Sequence, residues 1–496
     1  MRNLLFIVIL IIAVLLRVFA LSSVPSGFFC DEASIGYNAY SILHTGKDEY
    51  GVSFPIFFQS FGDFRPPLSI YSTIPFIDLF GLNEIAVRLP SVMYGLITIF
   101  AIYFICKEIK SDENDSLGLI AAFVASTMPW LIHYNRTGFE FSIYVAFFTV
   151  TILLLLKSVH NISFLIPASI LASLTFYTYQ PAKLIIPLLL LGFVIIYRET
   201  FLKNLGNTIA GLAIFIALSV PLILSFTGGQ AFARFNAVSV FSPRLTLGQN
   251  LQHIINNYSI QLSPSYFISG EDTFITRHFV GGLTPLLIPT LPFLAIGVIY
   301  IFLTVRRSHA SQLLIYWLFI YPIAGAVTAS PPFTSRSIIG APLFAILVAL
   351  GITKTIKYLP LKKITFLAII LLITVSTIIF TQFYFTKYPL YSSNFWGWQY
   401  GPRDIISYFV QNKAKYDDLI MIGEFNAPEI FFKFYAPENC YKCKIGTPDN
   451  LLNPLRKQLF AVTPEYLITH PYKFITKKII YYPNKRVAFQ IDEVVQ

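Results

Sequence analysis

Eleven long apolar stretches decide what this chain can fold into. A helix needs about 20 apolar residues to cross the hydrocarbon core of a bilayer. Only 12% of the 496 residues are charged, whereas soluble domains carry about 25%. We therefore predict a polytopic α-helical membrane protein with about eleven transmembrane helices. The predicted spans lie near 3–22, 87–106, 117–133, 141–157, 162–180, 184–197, 207–226, 284–305, 311–328, 337–353 and 364–384.

The positions of Lys and Arg predict how these spans are oriented. Cytoplasmic loops of membrane proteins carry an excess of basic residues. With the N-terminus in the cytoplasm, alternate loops hold most of them, among them Lys107, Arg306, Arg307 and Lys363. This orientation predicts a multi-pass cell-membrane protein with its C-terminal part outside the cytoplasm. It also accounts for the net charge of +11, so we expect no nucleic acid partner.

Three long segments are expected outside the membrane, and they define the predicted domains. A transmembrane module covers 1–384 and includes the outer loops 23–86 and 227–283, and an extracytoplasmic domain covers 385–496. Short apolar stretches in 23–86 predict helices at the outer interface. In the C-terminal domain, 403–411 predicts a helix, and 478–482 and 487–491 flank a Pro-Asn-Lys-Arg turn that predicts a hairpin. We therefore expect a small α/β domain.

The cysteines do not define a metal site. Cys440 and Cys443 form a single C-x-x-C pair in the C-terminal domain. A structural zinc site needs four ligands, so this pair falls short of one. An external disulfide and two unreactive thiols both remain open.

Carboxylates avoid the middle of every predicted span and approach the membrane on its outer face. Asp31 and Glu32 follow the first span, and Glu140 lies between the third and fourth spans. Two acidic positions at the same interface predict a shared cavity. The alternative is structural: Asp31 caps the helix that follows it, and Glu140 pairs with Arg136.

Basic residues lie on the same predicted face. Cations at headgroup level can hold a lipid phosphate, or they can merely extend their side chains to the interface. We expect Arg17, inside the first span, to extend in this way or else to hold Asp31 or lipid. His133 and His278 are candidate metal ligands or proton shuttles, with local hydrogen bonding as the alternative. The candidate phosphate-binding cations are Arg65, Lys183, Arg234, Arg277 and Arg336.

Three motifs occur in an order that resembles a known family. They are Asp31-Glu32, the Arg-Pro-Pro-Leu segment 65–68, and Phe-Gly-Leu-Asn-Glu-Ile-Ala-Val-Arg-Leu-Pro-Ser at 80–91. Together they resemble the GT-C polyprenol-phosphate-dependent glycosyltransferases, which include protein O-mannosyltransferases and the lipid A aminoarabinose transferase. The resemblance covers the first 200 residues. It implies an inverting transfer of a hexose or pentose from an undecaprenyl or dolichyl phosphate carrier, at the extracytoplasmic face, to a protein, glycan or lipid acceptor.

The resemblance also implies roles for individual residues. Asp31, with Glu32 beside it, falls at the family's catalytic centre, and Glu140 falls at a second acidic position that handles the acceptor or a divalent ion. Arg65 replaces the basic residue of the family's Lys-Pro-Pro-Leu motif, which contacts lipid phosphate, and Arg336 matches a basic residue of a later outer loop. Candidate ligands for a divalent metal are Asp31, Glu140 and His278.

Two other functions are weighed against this one. A lipid-linked donor is already activated, and the chain has no Asp-x-Asp, P-loop or G-x-G-x-x-G motif for a nucleotide. A transporter or flippase of a lipid-linked sugar is the alternative, but it would place acids or broken helices near the bilayer midplane. A scaffold that presents the C-terminal domain is a third hypothesis, and it predicts no cavity joining Asp31, Glu140 and Arg65.

Overall fold

The computed structural model describes residues 2–109, 116–227, 239–241, 245–269, 275–283, 285–329, 333–438 and 440–495. Most of these residues are helical. The described helices are α1 (Arg2–Val18), α2 (Cys30–Thr45), α3 (Leu68–Phe80), α4 (Glu84–Glu108), α5 (Ser116–Thr127), α6 (Pro129–Tyr134), α7 (Phe141–His160), α8 (Leu165–Thr175), α9 (Ala182–Ile196), α10 (Arg198–Lys203), α11 (Leu205–Thr227), α12 (Leu247–Ile260), α13 (Pro264–Ser269), α14 (Leu291–Thr304), α15 (His309–Ile320), α16 (Ile323–Ala326), α17 (Phe333–Arg336), α18 (Gly340–Tyr358), α19 (Lys362–Thr386), α20 (Tyr388–Ser392), α21 (Pro402–Asn412), α22 (Glu429–Tyr435), α23 (Pro448–Leu451) and α24 (Pro464–Thr469). The described strands are β1 (Phe58–Ser60), β2 (Asp63–Arg65), β3 (Asp418–Met421), β4 (Cys443–Ile445), β5 (Gln458–Val462), β6 (Lys473–Tyr481) and β7 (Val487–Val495).

Every one of the apolar stretches predicted as a span contains a helix. Among the described residues, five helices are long and apolar enough to cross a membrane, and they are α4, α7, α11 (over Leu205–Leu224), α18 and α19. Five further apolar stretches are helical over shorter lengths. The mostly helical membrane fold is thus confirmed, whereas the count of eleven spans stays a prediction.

The chain divides into two compact units, and each unit is assembled from separate pieces of sequence. Unit 1 consists of Met1–Phe19, Pro55–Ser69 and Pro90–Gln382. Unit 2 consists of Ala20–Phe54, Ile70–Leu89 and Phe383–Gln496. The predicted boundary between a transmembrane module and an outer domain at residue 384 stays a prediction.

Unit 1 packs around α18, whose residues from Gly340 to Thr353 are all buried. Small residues let α14 approach this helix closely. A Cβ on Gly297 would lie 2.0 Å from the Leu347 carbonyl oxygen, and one on Gly351 would lie 1.8 Å from that of Phe293. Neither glycine can therefore be replaced without separating the two helices.

Unit 2 contains a mixed sheet of five strands in the order β4-β3-β5-β7-β6. Strand β3 pairs in parallel with β4 and β5, while β7 pairs antiparallel with β5 and β6. The hairpin predicted at 478–491 is confirmed as β6–β7, and the helix predicted at 403–411 is confirmed as α21. Cys440 and Cys443 form a disulfide at the start of β4, which resolves the alternative left open by the sequence.

Unit 2 also contains two helices from the first predicted outer loop. Helix α2 packs against α22, and the ring of Phe28, two residues before α2, is centred 4.7 Å from the ring of Phe434. Lys433 on α22 forms an ion pair of 2.9 Å with Glu49. A Cβ on Gly36 of α2 would lie 2.5 Å from the Phe434 ring. The C-terminal residues therefore form part of the support for α2.

Candidate functional site

Asp31 lies in the first turn of α2, and its neighbour Glu32 shapes the start of that helix. Phe29 is the N-cap residue, and its backbone N–H donates to Glu32 Oε2 at 3.2 Å. Glu32 thus satisfies a backbone donor that the helix leaves unpaired. The expectation that Asp31 caps this helix is wrong, because Asp31 follows the cap by two positions. Asp31 is half-buried, and the Cys30 thiol lies 3.7 Å from its Oδ1.

Glu32 also forms a buried ion pair inside unit 2. The Arg88 guanidinium donates to both carboxylate oxygens of Glu32, at 2.9 and 3.0 Å, and neither side chain is exposed to solvent. The remaining donors of Arg88 bind backbone carbonyls, which belong to Leu21, Pro25 and Gly27. Two pieces of the unit, 20–32 and α4, are thereby tied together immediately beside Asp31.

In unit 1, a short hairpin that the sequence did not predict carries Arg65. Strands β1 and β2 pair antiparallel with Phe58 opposite Arg65, and Arg65 Nε donates to Ser60 Oγ at 3.0 Å. The side chain of Gln180 connects this hairpin to α9. Its Nε2 donates to the Phe64 carbonyl at 3.0 Å, and its Oε1 accepts a hydrogen bond from Lys183 Nζ. The structure thus brings Arg65 and Lys183, two of the predicted phosphate ligands, to one part of unit 1.

The second predicted acid, Glu140, adjoins a cluster of rings in the same unit. Glu140 is half-buried and occupies the N-cap position of α7. The next residue, Phe141, has its ring centre 5.2 Å from Tyr179, 5.0 Å from Tyr134 and 6.3 Å from His278. We call these four rings the aromatic cluster. In sequence, the cluster adjoins both Glu140, which precedes Phe141, and Gln180, which follows Tyr179 and links Arg65's hairpin to Lys183.

Tyr134 and its neighbour His133 each bind a further predicted position of unit 1, His278 and Arg277 respectively. The Tyr134 hydroxyl shares hydrogen bonds with His278 Nδ1 (3.0 Å) and Thr334 Oγ1 (2.8 Å). The backbone carbonyl of Arg277 accepts from His133 Nε2 at 2.8 Å. Both histidines therefore take part in local hydrogen bonds, as the alternative interpretation expected.

The basic residues Arg277 and Arg336 act electrostatically on His278. Burial lowers the pKa of His278 well below its ordinary value, and the nearby Arg277, His133 and Arg336 lower it further. The imidazole is consequently neutral at pH 7. Arg336 Nη1 also donates to Thr328 Oγ1 at 3.0 Å. Arg277 and Arg336 thus place positive charge near His278 of the aromatic cluster, and this charge would favour the binding of an anion.

Two buried arginines of unit 1 have structural rather than interfacial roles. Arg17 is fully buried, so the prediction that it extends to the interface is wrong. Its Nε donates to Asn135 Oδ1 at 2.9 Å. Arg136 donates to the carbonyls of Leu16 and Arg17 in the last turn of α1 and to that of Phe19 just after it. These bonds hold the 133–140 loop against α1.

Some of the predicted features lie outside this description. Arg234 and the first three residues of the 330–336 motif are outside the described residues. Within the described ranges, no three His, Cys, Asp or Glu side chains come together as a metal site would require. Asp31 belongs to unit 2, whereas Arg65, Glu140, Lys183, Arg277 and Arg336 belong to unit 1. The cavity shared by Asp31, Glu140 and Arg65 therefore stays a prediction.

Comparison with known proteins confirms the resemblance that the three motifs indicated. Residues 64–224 match the family model of dolichyl-phosphate-mannose-protein mannosyltransferases. The matched segment begins one residue before Arg65 and includes Glu140 and Lys183. No curated protein matches the chain.

Solved structures show the same fold over nearly the whole chain. ArnT from Cupriavidus metallidurans, bound to undecaprenyl phosphate, is 11% identical with a TM-score of 0.59, and the match covers 98% of this chain and 97% of that one. The oligosaccharyltransferase AglB from Archaeoglobus fulgidus, in complex with an inhibitory peptide and a dolichol-phosphate, is 14% identical with a TM-score of 0.53. That match covers 87% of this chain and 63% of the archaeal one.

Proposed function

We propose that this chain, which shares the fold of the GT-C polyprenol-phosphate-dependent glycosyltransferases, is an integral-membrane inverting glycosyltransferase. Its donor would be a hexose or pentose on an undecaprenyl or dolichyl phosphate carrier, and its acceptor a hydroxyl or amine at the extracytoplasmic face. The observation that carries the proposal is the placement of Arg65 and Lys183, linked through Gln180, beside the aromatic cluster. Two cations suit a phosphate, and aromatic faces suit a sugar ring or an isoprenoid chain.

The proposed reaction needs one base and one stabilised leaving group. Asp31 takes the proton of the acceptor hydroxyl or amine as that group attacks the anomeric carbon. The bond between the anomeric carbon and the phosphate oxygen breaks at the same time, and the phosphate leaves with the electron pair. Attack opposite the leaving group inverts the anomeric centre. No nucleotide is required.

The other candidate residues support these two tasks. Arg65 and Lys183 stabilise the charge that develops on the phosphate, and Arg277 and Arg336 contribute positive charge beside the aromatic cluster. Glu140 positions the acceptor or a divalent ion. Glu32 is assigned a positioning role in place of a catalytic one, because both of its oxygens are engaged by Arg88.

The test measures sugar transfer in reconstituted vesicles. Purified protein is supplied with undecaprenyl-phosphate-linked sugars and a panel of peptide, glycan and lipid acceptors. The Asp31→Asn variant should retain the wild-type unfolding temperature and lose about 10²-fold or more of its turnover, since it can no longer accept the proton.

Asp78→Asn serves as the matched control, because Asp78 is an exposed carboxylate on α3 of the same unit. Near-normal turnover by Asp31→Asn would remove Asp31 from the reaction. Movement of the labelled donor across the vesicle membrane without transfer to any acceptor would instead identify a flippase.

A further inference from the structure

Unit 2 contains a cavity that the proposed transfer chemistry does not use. Its volume is about 360 Å³, within the range of about 300–1,000 Å³ that is typical of small-molecule sites. The walls come mainly from two segments, 22–28 after α1 and 399–404 at the start of α21. Both segments belong to unit 2.

Glycines hold these two walls at a defined separation. Gly27 has a φ of 107°, and a Cβ there would lie 2.4 Å from the Trp398 carbonyl oxygen. Gly401 has a φ of 125°, and a Cβ there would lie 2.4 Å from the Phe489 ring. Only glycine combines these backbone angles with such close contacts. The cavity is therefore built into the packing of the unit.

A buried amide in the cavity wall lacks a hydrogen-bond partner. Gln399 is only 1% exposed, and its Oε1 accepts a hydrogen bond of 3.2 Å from the backbone N–H of Cys30. Its Nε2, however, has no hydrogen-bond partner among the described residues. Burying an unpaired amide donor costs about 1–3 kcal/mol, so native structures seldom retain one without a reason. Gln399 lines the cavity, and a ligand that brings an acceptor oxygen to its amide would satisfy this donor.

The other lining groups favour a ligand rich in hydroxyls. The side chains of Ser22, Ser23 and Ser26 supply hydroxyls, and the rings of Phe28 and Tyr400 supply apolar faces. Hydroxyls together with aromatic rings suit the polar edges and apolar faces of a sugar ring.

The charges in the wall disfavour an anionic ligand. The positive charge of Arg403 is engaged by Glu84, which also accepts a hydrogen bond of 2.7 Å from the Tyr435 hydroxyl. Asp404 adds a negative charge at the rim, where its Oδ2 accepts from Tyr400 at 3.3 Å. A phosphate or an acidic lipid headgroup would meet a paired cation and an exposed carboxylate. A neutral ligand would meet no such repulsion.

We propose that this cavity binds a neutral saccharide, with Gln399 Nε2 donating to one of its oxygens. The same Gln399 side chain holds the first turn of α2 through Cys30, next in sequence to Asp31. A bound saccharide would thus act, through Gln399, on the first turn of α2, the helix that carries the proposed base. Its use as the acceptor of transfer rests on the function proposed above, whereas its binding does not.

Binding is tested on the full-length protein in detergent, without any lipid-linked donor. The probes are an array of neutral hexose, pentose and N-acetylhexosamine oligosaccharides, followed by saturation-transfer NMR on the ones that bind. We expect at least one neutral saccharide to bind. The Gln399→Met variant should weaken that binding about tenfold, the effect of losing one buried hydrogen bond.

A second variant and two controls keep the result interpretable if Gln399→Met folds poorly. Ser23→Trp blocks the cavity from an exposed position and should abolish binding. Gln411→Trp and Gln411→Met, at an exposed position near the end of α21 that does not line the cavity, should bind as the wild type does.

The outcomes separate this proposal from the transferase itself. Asp31→Asn should keep saccharide binding even though it loses transfer. The saccharide proposal is overturned if no neutral saccharide binds, if Ser23→Trp binds as the wild type does, or if only vesicles with anionic headgroups compete for the cavity. Each of these results leaves the proposed transfer from a polyprenyl phosphate intact.

Discussion

Arg88 shows how a single buried side chain can organise the start of a helix. Its guanidinium binds both oxygens of Glu32 and three backbone carbonyls, and the rings of Phe28 and Trp398 lie within 6 Å of it, at 5.5 and 5.8 Å. A buried ion pair is tolerated only when nearly every donor and acceptor is satisfied. Arg88 meets this condition. Its removal would therefore take a hydrogen-bond donor from the Glu32 carboxylate and from three backbone carbonyls at once.

We expect Arg88→Met to destabilise the protein more than Glu32→Gln does. Removing one partner of a buried pair costs about 3–5 kcal/mol, and Arg88→Met additionally leaves the carbonyls of Leu21, Pro25 and Gly27 unpaired. Thermal unfolding in detergent measures the order, with the exposed Arg486→Met as the control. Equal losses in the two variants would show that the carbonyl contacts contribute little.

Arg65 is the residue on which the proposed phosphate contact most depends. Arg65→Ala should weaken the binding of undecaprenyl phosphate by about tenfold or more, because a charged hydrogen bond contributes about 1.5–3 kcal/mol. Arg65→Lys should retain part of the affinity, since lysine still supplies a point charge. Native mass spectrometry of the lipid complex gives the affinities.

A separate variant tests the link between the two cations. Gln180→Ala should also weaken lipid binding, although it removes no charge, because it releases both Lys183 and the β1–β2 hairpin. Arg198→Ala, an exposed change on α10, is the control. Unaltered lipid binding in both Arg65→Ala and Gln180→Ala would exclude this region as the phosphate site.

At the residue scale, the sequence identified chemical groups better than it identified their partners. Asp31, Arg65 and Glu140 stand out because charges are scarce and motifs surround them. The partners were missed because they are distant along the chain: Glu32 binds Arg88 across 56 residues, and Arg17 binds Asn135 across 118. No local pattern encodes such pairs.

At the scale of elements, helix α2 depends on a contact that allows no additional atom. A methyl group on Gly36 would lie 2.5 Å from Phe434 on α22 and 2.6 Å from Val87 on α4. The glycine thus permits α2, α22 and the start of α4 to meet within unit 2. Glu49 strengthens the same junction, since it accepts from Asn38 Nδ2 at 3.1 Å and pairs with Lys433.

Gly36→Ala should therefore destabilise unit 2 and reduce turnover together. Overpacking costs about 1–3 kcal/mol, which exceeds the gain of about 1 kcal/mol that alanine brings to a helix. Adding Phe434→Leu should restore part of the stability, because it removes one of the two clashes. Thermal unfolding and turnover of the single and double variants measure this. An additive loss in the double variant would contradict the assigned contact.

The elements themselves were predictable to different degrees. Apolar length alone located a helix in every predicted span, since a membrane-spanning segment needs little else. The β1–β2 hairpin was missed because each strand has only three residues, too few for an alternating pattern to show. The capping of α2 was misassigned because Asp is a common cap residue, whereas here Glu32 performs this task from the third helical position.

At the scale of the whole molecule, the division into two units predicts that lipid-phosphate binding can be separated from sugar transfer. Unit 1 holds the candidate phosphate ligands, whereas unit 2 holds Asp31 and the five-stranded sheet. A chain truncated after Thr386 keeps all of unit 1 but loses the residues that support α2. It should retain binding of undecaprenyl phosphate and lose transfer.

Lipid binding and turnover of the truncated chain are measured side by side, with the full-length Asp31→Asn variant as the reference. We expect the two proteins to behave alike, since both keep the candidate phosphate ligands and lack the proposed base in its supported position. Substantial turnover by the truncated chain would show that α2 needs no support from the C-terminal residues.

The division into discontinuous units has a consequence for biosynthesis. Residues 20–54 leave the ribosome several hundred residues before the sheet and α22 that complete their unit. The proposed base is therefore positioned only after residues 383–496 have been synthesised. Under the proposed function, we expect a chain that lacks these residues to bind the lipid carrier without transferring its sugar, so that activity requires synthesis of residues 383–496.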